Sequence, residues 1–339
     1  MTEELAPGQL LAGKYRIERE LGRGGMGAVY LAENVDLGRR VAIKVLLPRA
    51  ASNPEMTARF RQEARAAAAI GHPGIVDVLD LGRTEEGAEF IVMEHLQGEP
   101  LTERLSREGA LALPAALEIL EKLTDALAAA HEHGIVHRDL KPDNIFLVER
   151  PVPGIKILDF GISKLAQSEH KVHTVTGTMM GTPQYMSPEQ VTAARDVGPA
   201  ADLYALGVIA YEMLAGHPPY RADSLAQLVH RVVSLAPPPL AGQRGDLPPG
   251  LSGLVMQLLA KSPAARPGSA GEVLARIRQL SDARQASGVE AIPPNTASPE
   301  PPPDLAETLD PFAGGEEGLA SDGPFSLTTI KRLAWPFGL

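Results

Sequence analysis

Two short stretches in the middle of the chain hold the side chains best suited to chemistry. Residues 137–144 (His-Arg-Asp-Leu-Lys-Pro-Asp-Asn) combine an acid, a cation and a carboxamide. Asp139 and Lys141 are two residues apart, so in an extended backbone both side chains project to the same side, where they could orient a hydroxyl group and steady a phosphate. Asn144 and Asp159, the acid of an Asp-Phe-Gly sequence, offer the hard oxygen ligands that Mg²⁺ requires. A polar surface loop would explain any one of these residues, but not all of them together.

These two motifs resemble those of the protein kinase superfamily, and more narrowly those of bacterial serine/threonine kinases of eukaryotic type. The resemblance covers about residues 15–280. It implies an α+β, two-lobed protein-kinase fold, with a small antiparallel β-sheet lobe at 15–95 and a larger, mainly helical lobe at 96–280. ATP and Mg²⁺, with Mn²⁺ as an alternative ion, are then expected in the cleft between the lobes. The segment between the two motifs suits a β-hairpin.

The resemblance also assigns roles to the residues of these motifs. It implies that Asp139 accepts or orients the proton of the substrate hydroxyl, and that Lys141 stabilises the transferring phosphoryl group. Asn144 and Asp159 would hold the metal ion. Thr182 would hydrogen-bond toward Asp139 and Lys141, and the backbone beside it would shape the pocket for the residue after the phosphoacceptor.

A glycine-rich turn at residues 22–27 lies between two segments of strand character. Glycines let a backbone approach phosphates closely, although such a turn alone is equally typical of an ordinary hairpin. A strand follows the turn, rather than the helix of a dinucleotide-binding fold, so a phosphate lid of the kinase type fits better. The resemblance places ATP contacts at Leu21, Gly22, Gly24, Gly27, Val29, Ala42, Lys44, Met93, Glu94 and Leu96.

Lys44 interrupts the apolar segment 41–45, and a cation buried there needs an acidic partner. In kinases this lysine holds the α- and β-phosphates and pairs with a helix glutamate. The segment 54–69, rich in Ala, Arg and Glu, predicts that helix, with Glu63 as the best candidate. The alternative is that Glu63 lies on a solvated face. Met93 is expected to control access behind the adenine or to pack in the core; both can hold.

The segment 163–180 carries Thr174, Thr176 and Thr178 and few large apolar side chains. Arg138 precedes the catalytic acid, and its guanidinium needs an anion, which a phosphothreonine would supply. We therefore expect activation by phosphorylation, at Thr176 or Thr178 first, with the kinase acting on itself as one route. An unmodified threonine-rich loop is the alternative.

Several other polar residues are expected to support the loops of the site. Glu189, in Ser-Pro-Glu, would pair with Arg266 in a structural ion pair. Asp202 begins an apolar helix, where an acid is favourable, and by resemblance it braces the backbone of the catalytic loop. His131 and His133 do not share a helix face, so they are expected to be solvated residues at a helix end rather than metal ligands.

Composition limits the partners of the protein. The chain has 32 basic and 42 acidic residues, a net charge of −10, which argues against nucleic acid and anionic membranes as partners. Without cysteine it can form neither disulfides nor a thiolate zinc site. No signal-like segment follows Met1, and no apolar run is long enough for a bilayer, so a cytoplasmic location is expected.

The two ends of the chain lie outside the kinase-like region. Residues 1–14 are expected to be an N-terminal extension, and 281–339 a disordered tail rich in proline and acids. The last segment, 325–339, is apolar and could dock a partner, fold back onto the kinase or remain unbound. Resemblance also suggests a homodimer formed through the small lobe.

Two other functions agree less well with these residues than a protein kinase does. A non-catalytic pseudokinase scaffold is disfavoured because Lys44, Glu63, Asp139, Asn144 and Asp159 are all present. A small-molecule phosphotransferase of related fold usually lacks the Arg-Asp-Leu-Lys pattern and a loop ending in Ser-Pro-Glu. The sequence thus predicts transfer of the γ-phosphate of ATP to Ser or Thr hydroxyls of proteins.

Overall fold

A computed structural model describes residues 5–150, 153–160, 183–192, 197–245 and 247–286. The expected phosphorylation sites Thr174, Thr176 and Thr178, together with Thr182 and the tail beyond Ala286, lie outside the described residues.

The first part of the chain forms a six-stranded antiparallel sheet with the strand order β1-β2-β3-β4-β6-β5. Its strands are β1 (Leu10–Leu11), β2 (Tyr15–Arg23), β3 (Gly27–Asn34), β4 (Arg39–Leu46), β5 (Val78–Arg83) and β6 (Glu89–Glu94). Strand β1 lies within residues 1–14, the segment expected to be an N-terminal extension. It is nevertheless part of the sheet, because Leu11 is buried and pairs with Tyr15 of β2.

Alternation along the strands gives this sheet two buried faces. On β4, Ala42 belongs to one apolar cluster and Ile43 to the other. On β6, Ile91 and Met93 join the first cluster, whereas Val92 joins the second. The first face is the one that meets the main helix of the lobe.

Two helices follow β4, the short α1 (Pro48–Ala51) and the long α2 (Pro54–Ile70). The side chain of Asn53 accepts a hydrogen bond from the backbone N–H of Glu55, and Pro54 occupies the first helical turn; both favour a helix start. Gly71 ends α2 with φ of 60°, a left-handed conformation that glycine adopts without strain.

The second part of the chain is mainly helical, as the kinase-like fold class requires. Its helices are α3 (Leu101–Glu108), α4 (Leu113–Glu132), α5 (Pro188–Val191), α6 (Ala200–Ala215), α7 (Leu225–Ser234), α8 (Leu240–Gln243), α9 (Pro249–Leu258) and α10 (Ala270–Ala286). Helix α6 is buried almost all round, and α4 buries one apolar face. The predicted α+β, two-lobed fold is therefore confirmed.

A small antiparallel sheet has the strand order β7-β8-β9. It contains β7 (Gln97–Pro100), β8 (Ile145–Arg150) and β9 (Gly154–Ile157). In the chain, β7 precedes residues 137–144, the expected catalytic loop, and β8 and β9 follow them. Strands β8 and β9 form the hairpin expected between the two motifs, with Ile145 opposite Ile157. This pairing carries the chain from the catalytic loop to Asp159.

Strand β5 begins only at Val78, and Ile75 makes a single parallel bridge to Ile157 instead. One element boundary differs from that expected. Helix α10 does not end near Leu280, where the tail was expected to begin, but continues to Ala286. Residues 281–286 include Ala, Arg and Gln, all good helix formers, and proline first appears beyond them.

Candidate active site

Lys44 lies at the centre of the cleft, between two carboxylates. Its Nζ is 2.8 Å from Oδ1 of Asp159 and 3.4 Å from Oε1 of Glu63, and only 10% of its side chain is exposed. Burial opposes the charged ammonium, but the two acids outweigh it and raise the pKa of Lys44 above its ordinary value. The structure thus brings together three of the residues singled out in the sequence.

The local fold explains how this group forms. Lys44 follows Ala42 on the face of β4 that meets α2, and a single turn of that helix presents Glu63. Glu63 is largely shielded from solvent, with 12% of its side chain exposed. Burial raises the pKa of Glu63 to about 7, against the opposing effect of Lys44, which lowers it. Desolvation is therefore a real cost of this pair.

The expected nucleotide-binding surface is largely apolar and continuous. Leu21, Val29, Ala42, Met93 and Leu96 all belong to one buried cluster. Such a surface, flanked by Lys44, can cover the flat face of a purine while leaving its phosphates near the cation.

The glycine-rich turn and the segment after β6 border this surface. Gly22 lies within β2, and the backbone N–H of Gly24 donates to the carbonyl of Gly27 at 2.9 Å. A Cβ on Gly27 would meet the carbonyl oxygen of Val45 at 2.9 Å, so the close approach of β3 to β4 requires glycine there. Glu94 ends β6, at the connection between the lobes.

Met93 has a second set of neighbours besides the core. Together with Lys44, Glu63, Asp159 and Phe160 it lines a small cavity next to the expected nucleotide-binding surface. Its side chain is 5% exposed and packs in the buried cluster. Both roles considered for Met93 are therefore compatible with its position.

Asp202 holds the backbone of the catalytic loop. Its two carboxylate oxygens accept hydrogen bonds at 2.8 Å from the backbone N–H groups of His137 and Arg138. A third bond, 2.9 Å long, comes from Nε2 of His131. Arg138 has φ of 64°, a left-handed conformation that costs a non-glycine residue roughly 1–3 kcal/mol unless its surroundings hold it. The hydrogen bonds that Asp202 accepts provide that support.

His137 connects the two loops through its ring. Nε2 donates to the carbonyl of Leu158 at 3.1 Å, and Nδ1 accepts from the backbone N–H of Asp139 at 3.2 Å. The ring is fully buried and lies 5.0 Å from the ring of Phe160. His137 therefore fixes the spacing of the loops.

Asn144 and Asp159 are suited to hold a divalent cation. Nδ2 of Asn144 donates to the carbonyl of Asp139 at 2.8 Å, which orients the carboxamide and leaves its oxygen as the ligand. The backbone carbonyl of Asn144 accepts from Leu158 at 2.8 Å, so the chain segments of the two ligands are bonded to each other. A carboxamide oxygen and a carboxylate match the preference of Mg²⁺ for hard oxygen ligands.

Asp139 and Lys141 flank the buried side chain of Leu140. Lys141 has φ of −158° and ψ of 162°, an extended backbone. That the side chains of Asp139 and Lys141 project toward the same side stays a prediction. Lys141 is 6% exposed, and Asp139 is half-buried. The loop thus presents an acid and a cation beside Asn144 and Asp159, the expected metal ligands.

Glu189 and Arg266 form a bidentate ion pair beneath the loop. Nη1 and Nη2 of Arg266 lie 2.6 and 2.8 Å from the two oxygens of Glu189. The guanidinium is fully buried and also donates to the carbonyls of Ala200 and Ala260. Burial opposes the charge of Glu189, but hydrogen bonds from Arg266 hold the pKa of that carboxyl below its ordinary value. The expected pair is therefore present in the structure.

Two residues that take part in this framework were missed in the sequence. His131 is not solvated as expected, because its side chain is 10% exposed and bonded to Asp202. It lies four residues after the buried Leu127, so the helical period of α4 could have identified it. Gln190 caps α5 reciprocally with Ser187 and donates from Nε2 to the carbonyl of Arg138 at 2.7 Å. No sequence pattern indicates this last contact.

Arg138 has an incompletely bonded guanidinium within the described part of the chain. Nη2 donates to the carbonyl of Val197 at 3.1 Å, whereas the buried Nε has no partner among the described residues. Burial lowers the pKa of this guanidinium, and the charge of Asp202 offsets part of the effect. A desolvated cation of this kind favours an anion close by.

A β-sheet lobe with a Lys–Glu pair and a helical lobe with this catalytic loop together define the two-lobed protein kinase class. The model of the protein kinase domain family matches residues 15–277. The chain belongs to this family.

Named relatives agree with that assignment. The chain is 47% identical over 257 residues to the serine/threonine-protein kinase Pkn1 of Myxococcus xanthus, covering 75% of this chain and 36% of the relative. It is 41% identical over 299 residues to the serine/threonine-protein kinase PknA of Mycobacterium tuberculosis strain H37Rv, covering 87% of this chain and 66% of the relative. The chain thus spans about one third to two thirds of the length of these curated relatives.

A solved structure shows the same fold. The crystal structure of the M. tuberculosis PknI kinase domain is 32% identical, with a TM-score of 0.64, and the match covers 82% of this chain and 100% of that domain. Separately, none of the helices within the described ranges is both long and apolar enough to cross a membrane.

Proposed function

We propose that this chain is an ATP-dependent protein serine/threonine kinase. The observation that carries the proposal is the position of Lys44, which contacts Glu63 on the helix of the small lobe and Asp159 beside the catalytic loop. Removing three charged groups from water costs free energy, and a scaffold without catalytic activity would not need this arrangement. The names of both curated relatives support Ser/Thr hydroxyls as the acceptor class.

The proposed mechanism rests on positioning and charge stabilisation. Lys44, oriented by Glu63, binds the α- and β-phosphates of ATP. Asp139 receives a hydrogen bond from the substrate hydroxyl and aligns it with the γ-phosphate. Lys141 stabilises the negative charge of the phosphoryl group during its transfer.

A metal ion completes this site in the proposal. Mg²⁺, or Mn²⁺ in its place, would neutralise phosphate charge, and Asn144 and Asp159 would hold it. Thr182 would hydrogen-bond toward Asp139 and Lys141 and shape the pocket next to the acceptor residue. The hydrogen bond that orients the Asn144 carboxamide on the carbonyl of Asp139 supports Asn144 as a metal ligand.

Phosphorylation of the segment 163–180 is the proposed means of activation. The buried Nε of Arg138 lacks a partner among the described residues, and a phosphate on Thr174, Thr176 or Thr178 would supply one. Gln190 donates to the backbone carbonyl of Arg138, and Asp202 accepts from its backbone N–H, so the backbone of Arg138 is held at both groups. The anion would therefore order the segment against the catalytic loop.

Two further partners are proposed besides protein substrates. A homodimer formed through the small lobe is proposed from the family resemblance. The apolar segment 325–339 is proposed to dock a partner; deleting 320–339 and finding unchanged binding and rate would dispose of that idea. The cytoplasmic location expected from the sequence stays a prediction.

The deciding experiment is incubation of the purified protein with labelled ATP and Mg²⁺, beside Asp139→Asn and Lys44→Ala. Label on wild type alone, at threonines within 163–182 by mass spectrometry, is the expected result. Absence of label on the protein and on generic protein substrates, including after modification by another kinase, would overturn the proposal.

A further inference from the structure

Helix α2 makes a second charged contact with the sheet, away from Lys44. Nη2 of Arg61 donates to Oε1 of Glu89, the first residue of β6. The same oxygen accepts from Nε of Arg83 at 2.6 Å, on the neighbouring strand β5. Only 4% of the Glu89 side chain is exposed, whereas Arg61 is 32% exposed.

This contact and the Lys44–Glu63 pair lie on different sides of the helix. Arg61 and Glu63 are two residues apart, so their side chains point about 200° apart around α2. Their partners lie on adjacent strands of one sheet, since β4 pairs with β6 and Lys44 stands opposite Ile91. Glu89 precedes Ile91 by two residues, and it therefore projects from the same face of β6 as Ile91 and Met93.

Apolar packing alone holds α2 only weakly in one orientation on the sheet. Its buried residues are Phe60, Ala64, Ala66, Ala67 and Ile70, three of which are alanines. Alanine removes little area from water, and a flat alanine surface resists sliding less than interlocked large side chains do. At 3.4 Å the Lys44–Glu63 contact is also longer than that between Lys44 and Asp159.

We propose that Arg61 and Glu89 position α2 on the sheet so that Glu63 reaches Lys44, which makes Arg61 a positioning residue for the active site. The desolvated carboxylate of Glu89 provides a fixed anchor on β6, and the exposed Arg83 neutralises its remaining charge. Rotation or outward movement of α2 would break the Arg61–Glu89 contact and separate Glu63 from Lys44 at the same time.

Arg61→Ala tests this proposal, with Arg65→Ala as the matched control, because Arg65 is exposed on the same helix. Hydrogen exchange of the amides of residues 54–70, measured on the whole protein without nucleotide, needs no enzymatic activity. We expect Arg61→Ala to accelerate exchange across α2 and Arg65→Ala to leave it at the wild-type rate.

The kinetic arm rests on the proposed function and reports whether Arg61 acts through Glu63. We expect Arg61→Ala to lower kcat about tenfold, Arg61→Lys to restore part of it, and Arg61→Ala to have little further effect in a Glu63→Gln background. If wild type shows no kinase activity, the proposed function fails while the exchange measurement still decides the role of Arg61.

Other outcomes count against the positioning role. Exchange and kcat equal to those of Arg65→Ala would overturn it, as would a lower melting temperature with exchange in α2 unchanged. Full additivity with Glu63→Gln would show that Arg61 acts independently of Glu63 and would also overturn it. If Arg61→Ala does not fold, Glu89→Gln, which keeps the side-chain size, takes its place with the same expected results.

Discussion

Lys44 and Asp159 are 115 residues apart in the sequence, yet Nζ of the lysine lies 2.8 Å from Oδ1 of the aspartate. The aspartate also has φ of 38°, in the left-handed region. A strained backbone at this position is held by the hairpin β8–β9 and by the ring of His137, which bonds the preceding residue. The contact therefore joins the sheet of the small lobe to the loops of the large lobe.

Replacing Glu63 with Gln should separate its electrostatic role from its size. We expect Glu63→Gln to lower kcat/KM for ATP by roughly 10²-fold, because Lys44 loses one of the two acids that orient it. Steady-state kinetics on a protein substrate measures this. Adding Glu63→Gln to Lys44→Ala should cause little further loss, and multiplicative losses would show that the two residues do not act as a unit.

The Glu189–Arg266 pair should be important for stability. Glu189→Ala leaves the fully buried guanidinium of Arg266 without its acid, so we expect a loss of about 3–5 kcal/mol in the free energy of unfolding. Chemical denaturation followed by fluorescence or circular dichroism measures it. Glu118→Ala, which breaks an exposed pair with Lys122, is the control and should cost less than about 1 kcal/mol. Similar losses in both variants would contradict the prediction.

The hydrogen bonds that Asp202 accepts lead to a prediction about catalysis. Asp202→Asn keeps the shape but replaces one acceptor oxygen by an amide donor, which cannot accept from the backbone of His137 or Arg138. We expect kcat to fall strongly while KM for ATP changes little, because the nucleotide surface lies elsewhere. His131→Leu removes only one of the three bonds and should lower kcat less. A selective rise in KM for ATP would argue against this role.

The sequence predicted those parts of the site that depend on local motifs. Asp139, Lys141 and Asn144 fall within one loop, and the hairpin that leads to Asp159 follows from the length and apolar character of the segment between them. Glu63 could be selected because α2 offers few acids and a buried Lys44 needs one.

Contacts that depend on how distant segments pack could not be predicted in this way. The hydrogen bond from Gln190 to the carbonyl of Arg138 joins a helix cap to a residue with a left-handed backbone conformation. Neither the contact nor that conformation has a signature in the sequence. The Arg61–Glu89 contact joins an apparently ordinary surface arginine to a strand acid that the sequence places next to a turn. The i, i+2 spacing of His131 and His133 excludes a shared helix face, but it does not show that His131 lies one turn after the buried Leu127 on α4.

Glu89 should make the stability of the small lobe sensitive to acid. The hydrogen bond from Arg61 lowers the pKa of Glu89 below its ordinary value of 4.5, against the effect of burial, and Arg83 lowers it further. As the pH falls, the unfolded chain therefore takes up a proton at this residue before the folded protein does. The stabilisation is present above pH 4.5 and is lost as the pH falls through the lower folded value.

Melting temperatures of wild type and Glu89→Gln, measured from about pH 6 to about pH 3, check this prediction. Glu89→Gln should melt at a lower temperature near neutral pH, because Arg61 loses its charged partner, and should lose less stability than wild type on acidification. Glu33→Gln on β3, which affects an exposed pair with Arg16, should follow the wild-type slope. Parallel slopes for wild type and Glu89→Gln would mean that the folded and unfolded chains bind the proton at Glu89 equally well, and that the Arg61–Glu89 contact contributes nothing to the acid sensitivity.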